Sequence, residues 1–208
     1  MSALESEQLM KPANPLSSAL RVRLFDVSVV RSRTIMGGFL FWLILYVGPT
    51  SLAFADLPVI PNGAGFGITT PAGRGGKVYK VTNLRATGRG SLKACIDRSG
   101  PRVCVFEVSG TITLTRNLWI ANPFITIAGQ TAPSPGITIR GAALGIETHD
   151  VLVQHLRIRV GDDPNGPDPE NRDAIRVEDK WGIVIDHCSL SWAIDETISA
   201  WTDWDNVT

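Results

Sequence analysis

From residue 103 onward, short β-branched apolar runs alternate with polar or turn-forming breaks. This pattern predicts strands at Val103–Val108, Thr111–Thr115, Leu118–Ile120, Ile125–Ala128, Ile137–Arg140, Val151–Gln154 and Leu156–Val160. It predicts four more at Ala174–Val177, Ile183–Ile185, Cys188–Trp192 and Thr197–Ala200. β-Branched side chains fit a half-buried pleated surface. No helical period lies between the runs, which excludes an alternating βαβ architecture. Upstream, Lys77–Thr82 alternates like one further strand. A single helix is predicted near Gly90–Asp97, where Ser91 suits the N-cap and Leu92, Cys95 and Ile96 share a face. At about two turns it is too short to stand alone and needs a surface to rest on.

An antiparallel sandwich and a parallel solenoid both satisfy such a strand list. Internal repeats favour the solenoid. The segments at 123–127, 149–153, 181–185 and 205–208 each lead from a polar or turn-like residue into a β-branched run. Taking Ile125, Val151, Ile183 and Val207 as equivalents gives spacings of 26, 32 and 24 residues. A second and a third strand follow the first three of these segments, which makes a three-strand coil with loops of variable length. One coil alone leaves its strand edges and apolar face open, and stacking the next coil closes both. Ile125, Ile127, Val151, Val153, Ile183 and Ile185 should then form inward ladders, with the short helix capping one end. The longest spacing holds an insertion at 161–173, rich in Asp, Pro and Asn, where a rigid solenoid would carry function.

Lysine plus arginine balance aspartate plus glutamate at 20 each, so no global field favours nucleic acid or an anionic membrane. Residues 1–55 read as an N-terminal extension and signal peptide, and 56–208 as the solenoid domain. Arg31 and Arg33 precede the apolar run Phe39–Val47, and Ala53-Phe54-Ala55 supplies small residues at a cleavage site. A membrane anchor is the alternative, but Gly48-Pro49 breaks the second half of the span from Met36 to Ala55. The expected location is therefore secreted or periplasmic, without stable membrane association after cleavage. Cys95 and Cys104 flank the turn Ser99-Gly100-Pro101. They read either as a disulfide or as two small buried hydrophobes. No C-x-x-C pair points to a structural zinc site.

The glycine-rich stretches Gly63–Gly67 and Gly73–Gly76 fit neither a phosphate loop nor a dinucleotide fingerprint. Several segments together do resemble a known family. They are Ile60–Gly67, Gly73–Tyr79, Val81–Leu84, Gly90–Ala94, Phe106–Ile112, Ile127–Pro133 and Val184–His187. Over about residues 59–208 the chain resembles the pectate-lyase-like proteins, in particular their bacterial secreted members. The resemblance implies a right-handed parallel β-helix, and cleavage of polygalacturonate by calcium-assisted β-elimination with an arginine as base. It implies an acidic polysaccharide (polygalacturonate or pectate) as partner, and the chain is taken as a monomer.

Removing a proton beside a carboxylate builds negative charge, which a hard cation stabilises. Calcium takes several oxygen ligands. Asp173, in an Asp-x-Ile-Arg pattern, resembles a calcium-binding position of the family, and Asn171 falls where many relatives place a second Asp. Asp195 and Glu196 open the equivalent strand one coil later, which should bring Asp195 to about 5 Å from Asp173. The candidate calcium ligands are thus Asp173, Asp195, Asn171 and Glu196. Asp162, Asp163, Asp168 and Glu170 read as solvated loop acids. Asp186 and His187 match the family's Ile-Asp-His motif and read as structural, with His187 a hydrogen-bonded turn residue. Trp192, Trp201 and Trp204 suit either a sugar groove or stacking within the solenoid.

Arg157, Arg159 and Arg176 do not sit in the family's catalytic motif, and that motif is expected beyond Thr208. The chain therefore reads as an N-terminal fragment with little activity of its own. The alternative class is a non-catalytic β-helix that binds polysaccharide or acts as an adhesin. Asn171 in place of a carboxylate favours that alternative.

Overall fold

The computed structural model describes residues 57–169 and 172–208. Strands and turns alternate along the chain. The strands are β1 (Lys77–Val81), β2 (Arg102–Phe106), β3 (Gly110–Thr113), β4 (Leu118–Ile120), β5 (Ile125–Ala128), β6 (Ile137–Arg140) and β7 (Leu144–Ile146). They continue as β8 (Val151–Gln154), β9 (Leu156–Arg159), β10 (Ile175–Glu178), β11 (Trp181–Asp186), β12 (Ser189–Ser191), β13 (Ile198–Trp201) and β14 (Asp205–Val207). The one α-helix among the described residues, α1 (Leu92–Ile96), lies between β1 and β2.

Among the described residues every strand pairing is parallel, and no strand pairs with its neighbour in sequence except β1 with β2. The first sheet runs β1-β2-β5-β8-β11-β14, the second β3-β6-β9-β12 and the third β4-β7-β10-β13. Consecutive strands thus visit three sheets in turn and return one step further along. This is a right-handed parallel β-helix. Ile125 pairs with Val151, Val151 with Ile183 and Ile183 with Val207, as the repeat spacing predicts. The variable coil length is absorbed in loops, so it does not shift this register.

The core is a set of inward ladders. Ile125, Ile127, Val151, Val153 and Ile183 are fully buried, as are Ile137, Ile139, Leu156 and Ile158 on the second sheet. Ile185 is only partly buried. In parallel strands at about 4.8 Å spacing, equal residues stack directly, so each apolar side chain covers the one below. Predicted strand limits differ from the observed ones by one or two residues. The two-residue shifts are at β2, which ends at Phe106 rather than Val108, at β3, which ends at Thr113 rather than Thr115, and at β11, which starts at Trp181 rather than Ile183.

The corners between sheets use single residues in the left-handed region. Phe124, Asp150 and Asn206 precede the inward residue of the first sheet with φ of 61°, 56° and 52°. His155 and His187 make the turn into the second sheet with φ of 53° and 50°. A non-glycine residue in this region costs energy that the stacked neighbours must over-determine. The same strained turn recurs coil after coil because each corner hydrogen-bonds to the next. The amide of Ile125, for example, donates to the Asp150 carbonyl at 3.1 Å.

Helix α1 covers the end of the stack. Ser91 Oγ accepts from the Ala94 amide at 3.2 Å, and Leu92, Cys95 and Ile96 face inward. Cys95 and Cys104 form a disulfide with a Cα–Cα distance of 5.9 Å, which ties the helix to β2. Of the two readings of these cysteines, the bonded one holds. Arg102 is wholly buried beneath the helix end. Its guanidinium donates to the carbonyls of Cys95, Ile96, Gly100, Asn122 and Pro123 at 2.8–3.2 Å. The helix C-terminus leaves carbonyls without intrahelical partners, and a fork with five donors is suited to satisfy them.

The glycine-rich segment 57–76 is explained by the outer face of the first sheet. It runs across the strands as a strap. Thr70 Oγ1 donates to Asp150 Oδ1 at 2.7 Å, and the amides of Gly67 and Gly73 donate to the hydroxyls of Thr208 and Thr126. Ala72 packs on Leu152 and Val184, two apolar residues on the outward face, with Val59 and Ile60 around them. A β-carbon on Gly67 would overlap the carbonyls of Asn206 and Ile183, and one on Gly73 that of Arg102. Glycine is required there for close backbone approach.

Residues 1–55, and with them the signal-peptide reading, lie outside the described residues, as do Glu170 and Asn171. Among the described residues no helix is long and apolar enough to cross a membrane.

Candidate functional site

The insertion between β9 and β10 folds back against the loop that follows β12. Arg172 anchors it. Its guanidinium donates to the carbonyls of Pro167 and Gly161 at 2.6 and 3.2 Å, while its own carbonyl accepts from the Ile194 amide. This brings the approaches to β10 and β13 together on adjacent coils.

Three carboxylates meet there. Oxygens of Asp173, Asp195 and Glu196 lie within 4.8 Å of one another. The alignment differs from the expected one by a single residue. Asp173 does not open its strand, because β10 begins at Ile175, and Ile175 pairs with Ile198. Counting back, the cross-coil partner of Asp173 is Glu196, with Asp195 one place earlier. The Glu196 amide donates to Asp173 Oδ1 at 3.2 Å, and the Ala174 amide to the Glu196 carbonyl at 3.3 Å.

The three acids sit in different surroundings. Asp173 is buried, while Asp195 and Glu196 are exposed. Asp173 Oδ2 accepts from the Ser199 hydroxyl at 2.5 Å and faces Arg176 Nε at 3.5 Å. Arg176 also donates to Glu178 at 2.9 Å, and its guanidinium lies over the Trp119 ring. Asp173 is thus a carboxylate held in place by protein partners. Partial desolvation, then the negative charges of Asp195 and Asp173, hold the Glu196 carboxyl above its ordinary range. A cation would relieve that repulsion. The donors are all oxygen, one buried and pre-oriented and two exposed to solvent, which fits a hard divalent cation. Residue spacing did not reveal Ser199 or Arg176 as parts of this site. The signal is register, since Ser199 is the cross-strand partner of Arg176.

The neighbouring loop acid Asp163 is engaged elsewhere. Asp163 Oδ1 accepts from the backbone and side-chain amides of Asn165 at 2.9 and 3.2 Å. Those bonds, helped by Arg140 and Arg172, lower its pKa. Beside it an open groove of about 530 Å³ is lined by Arg140, Arg159, Asp163 and Trp192. Trp192, Trp201 and Trp204 are all exposed, at 71%, 58% and 52%. They stand on the surface of the coil formed by β12, β13 and β14. His187 is a turn residue whose ring bonds to Asp186 at 2.6 Å.

No family model matches the chain. It is 38% identical to a probable pectate lyase C of Aspergillus flavus over 153 residues, which are 73% of this chain and 35% of that protein. It is 36% identical to a probable pectate lyase C of Emericella nidulans over 161 residues, covering 77% of this chain and 37% of that one. The chain is pectate-lyase-like. Pectate lyase 5 of Ambrosia artemisiifolia is 28% identical over 152 residues, 65% of this chain and 38% of that one. In fold, the pectate-lyase-like chain matches the crystal structure of Jun a 1, the major allergen from cedar pollen. The TM-score is 0.60 at 24% identity, over 70% of this chain and 46% of that one. These relatives are fungal and plant proteins, not the bacterial secreted members that the sequence motifs suggest. The chain spans somewhat more than a third of the length of the curated relatives it matches.

Proposed function

We propose that the protein is a polysaccharide lyase that cleaves polygalacturonate by β-elimination, with calcium held by Asp173, Asp195 and Glu196. The observation that carries this reading is the meeting of three carboxylates from successive coils beside the inserted loop. Similarity to probable pectate lyases over 73% of the chain supports it. A bound calcium would bridge the substrate carboxylate and stabilise the charge that develops when the neighbouring proton leaves. Asp173 fixes one side of that position, while Asp195 and Glu196 close on it from solvent. Asn171 stays a further candidate ligand on the loop. The open groove with Arg140, Arg159 and Trp192 offers positive charge and an aromatic face to an anionic sugar chain.

The activity proposed is that of the whole protein, and no residue of this chain is assigned as the base. Export is part of the reading. The Cys95–Cys104 disulfide supports an oxidising compartment, in keeping with a signal peptide at the N-terminus.

A second reading is polysaccharide binding without cleavage. It is favoured by the engagement of Asp173 with Ser199 and Arg176, bonds that also suit a purely structural carboxylate. One experiment separates the two. The protein encoded by the complete gene is incubated with polygalacturonate and calcium, and unsaturated uronide is followed by its absorbance. The lyase reading expects product that stops on chelation. Retention of polygalacturonate without product supports the binding reading, and neither product nor retention overturns both.

A further inference from the structure

We propose that His155, His187 and Asp186 form a binding site for a divalent transition cation of the zinc class, separate from the carboxylate cluster and independent of the lyase reading. The site sits at the corner between the first and second sheets. There two successive coils each turn through one left-handed residue, His155 after β8 and His187 after β11. The His155 amide donates to the Asp186 carbonyl at 3.1 Å, so the two corners are joined through the backbone. The imidazoles stack with centroids 4.8 Å apart and planes inclined by 16°.

One ring nitrogen from each histidine and one Asp186 oxygen lie within 4.8 Å of one another. His187 Nδ1 and Asp186 Oδ1 are 2.6 Å apart. Adjacent donors around a cation at zinc–nitrogen bond lengths stand about 3.3 Å apart. Closing the site needs only a small opening of that pair and a turn of the exposed His155 ring.

Asp186 is built in, not loose. Its Oδ2 accepts from the Gln154 amide at 2.8 Å, and the Gln154 carbonyl oxygen accepts from Gln130 at 3.1 Å. An amide ladder through three coils therefore orients the carboxylate. Such partners outside the ligand set fix the direction of ligands and raise metal affinity. The Asp186 side chain is 16% exposed and that of His187 67%, so the cation has an open approach to a fixed carboxylate.

The donor set decides the class of ion. Two imidazole nitrogens and one carboxylate oxygen suit zinc and its neighbours, with water in the remaining position. Calcium prefers six or more oxygens and has little affinity for imidazole. The two clusters should thus sort ions by chemistry, calcium at the carboxylates and zinc at the histidine corner.

The chain has three histidines, so the test is compact. Zinc is titrated calorimetrically into the full chain in saturating calcium. One zinc per chain is expected, with at least tenfold weaker binding in His155→Gln and in His187→Gln and none lost in His149→Gln. Imidazole nitrogen resonances of the unmodified protein provide a check that needs no variant. Zinc should move those of His155 and His187 and leave those of His149. The proposal is overturned if the double variant His155→Gln/His187→Gln binds zinc as the unmodified protein does. It is also overturned if calcium displaces the zinc, or if no imidazole signal moves.

Discussion

The amide of Glu196 donates to the carboxylate of Asp173 at 3.2 Å, so a candidate cation ligand on one coil is tied to the backbone of the next. Asp173 therefore joins two coils, and in the proposed site it would also offer oxygen to a cation. Asp173→Asn keeps the shape but removes the charge facing Arg176 and sets a donor against Ser199 or Glu196. The expected result is at least tenfold weaker calcium binding together with a stability loss of about 1–3 kcal/mol. Asp195→Asn lies in solvent and should weaken calcium binding while shifting stability by less than about 0.5 kcal/mol. Calcium titration and urea melts of both variants check the contrast.

Glu196 contributes a pH dependence to the calcium-free protein. Its pKa is raised above the ordinary 4.5 by partial desolvation and by Asp195 and Asp173. A carboxyl with a raised folded pKa binds its proton more tightly in the fold than in the open chain. Without calcium, its contribution to stability is therefore most favourable below pH 4.5 and declines as pH rises through the raised value. Glu196→Gln should stabilise the calcium-free protein at pH 7 and flatten that decline. Thermal melts in chelator across the acid range measure it. Calcium affinity of the unmodified protein should fall as pH drops through the same window, since proton and cation compete.

Arg102 satisfies five carbonyls from beneath α1 while wholly buried. Arg102→Met fills much of the volume and removes the guanidinium partner from those acceptors, of which the Cys95 carbonyl keeps a bond from the Arg98 amide. A loss of about 3–4 kcal/mol is expected, since buried acceptors lose both partner and water. Denaturant unfolding reads it, and amide exchange should show α1 opening first.

The strap depends on bare backbone at Gly73, where a β-carbon would overlap the Arg102 carbonyl. Gly73→Ala should lift the strap locally and cost about 1–3 kcal/mol. Limited proteolysis is expected to cut within 57–76 faster in the variant, while the strands of the first sheet stay protected.

The disulfide closes a short loop between α1 and β2. Its removal in Cys95→Ala/Cys104→Ala should cost about 2–3 kcal/mol from the loop entropy returned to the unfolded chain. Thermal melts of the variant, and of the unmodified protein with and without reductant, should agree in size.

Much of the coil was legible because a parallel β-helix repeats its chemistry. The equivalence of Ile125, Val151, Ile183 and Val207 could be read because stacked strands place like residues at like positions. Helix α1 was legible from Ser91 and the spacing of Leu92, Cys95 and Ile96, which are local signals. The candidate site was legible only in part. Asp173, Asp195 and Glu196 do come together, but the partner of Asp173 is Glu196. The insertion changes coil length, and spacing alone cannot say which loop residue enters the strand.

By itself, the sequence determined the apolar ladders, the capping helix and the place of the long loop, because periodicity and turn chemistry are written residue by residue. Tertiary structure alone decided that Cys95 and Cys104 bond, that the glycine-rich segment crosses the first sheet, and that Arg102 feeds the helix end. It alone stacked His155 on His187 and set Ser199 against Asp173. Those contacts join residues on different coils. Their partners are fixed by the register of stacking, a property of the assembled helix that no window of sequence contains.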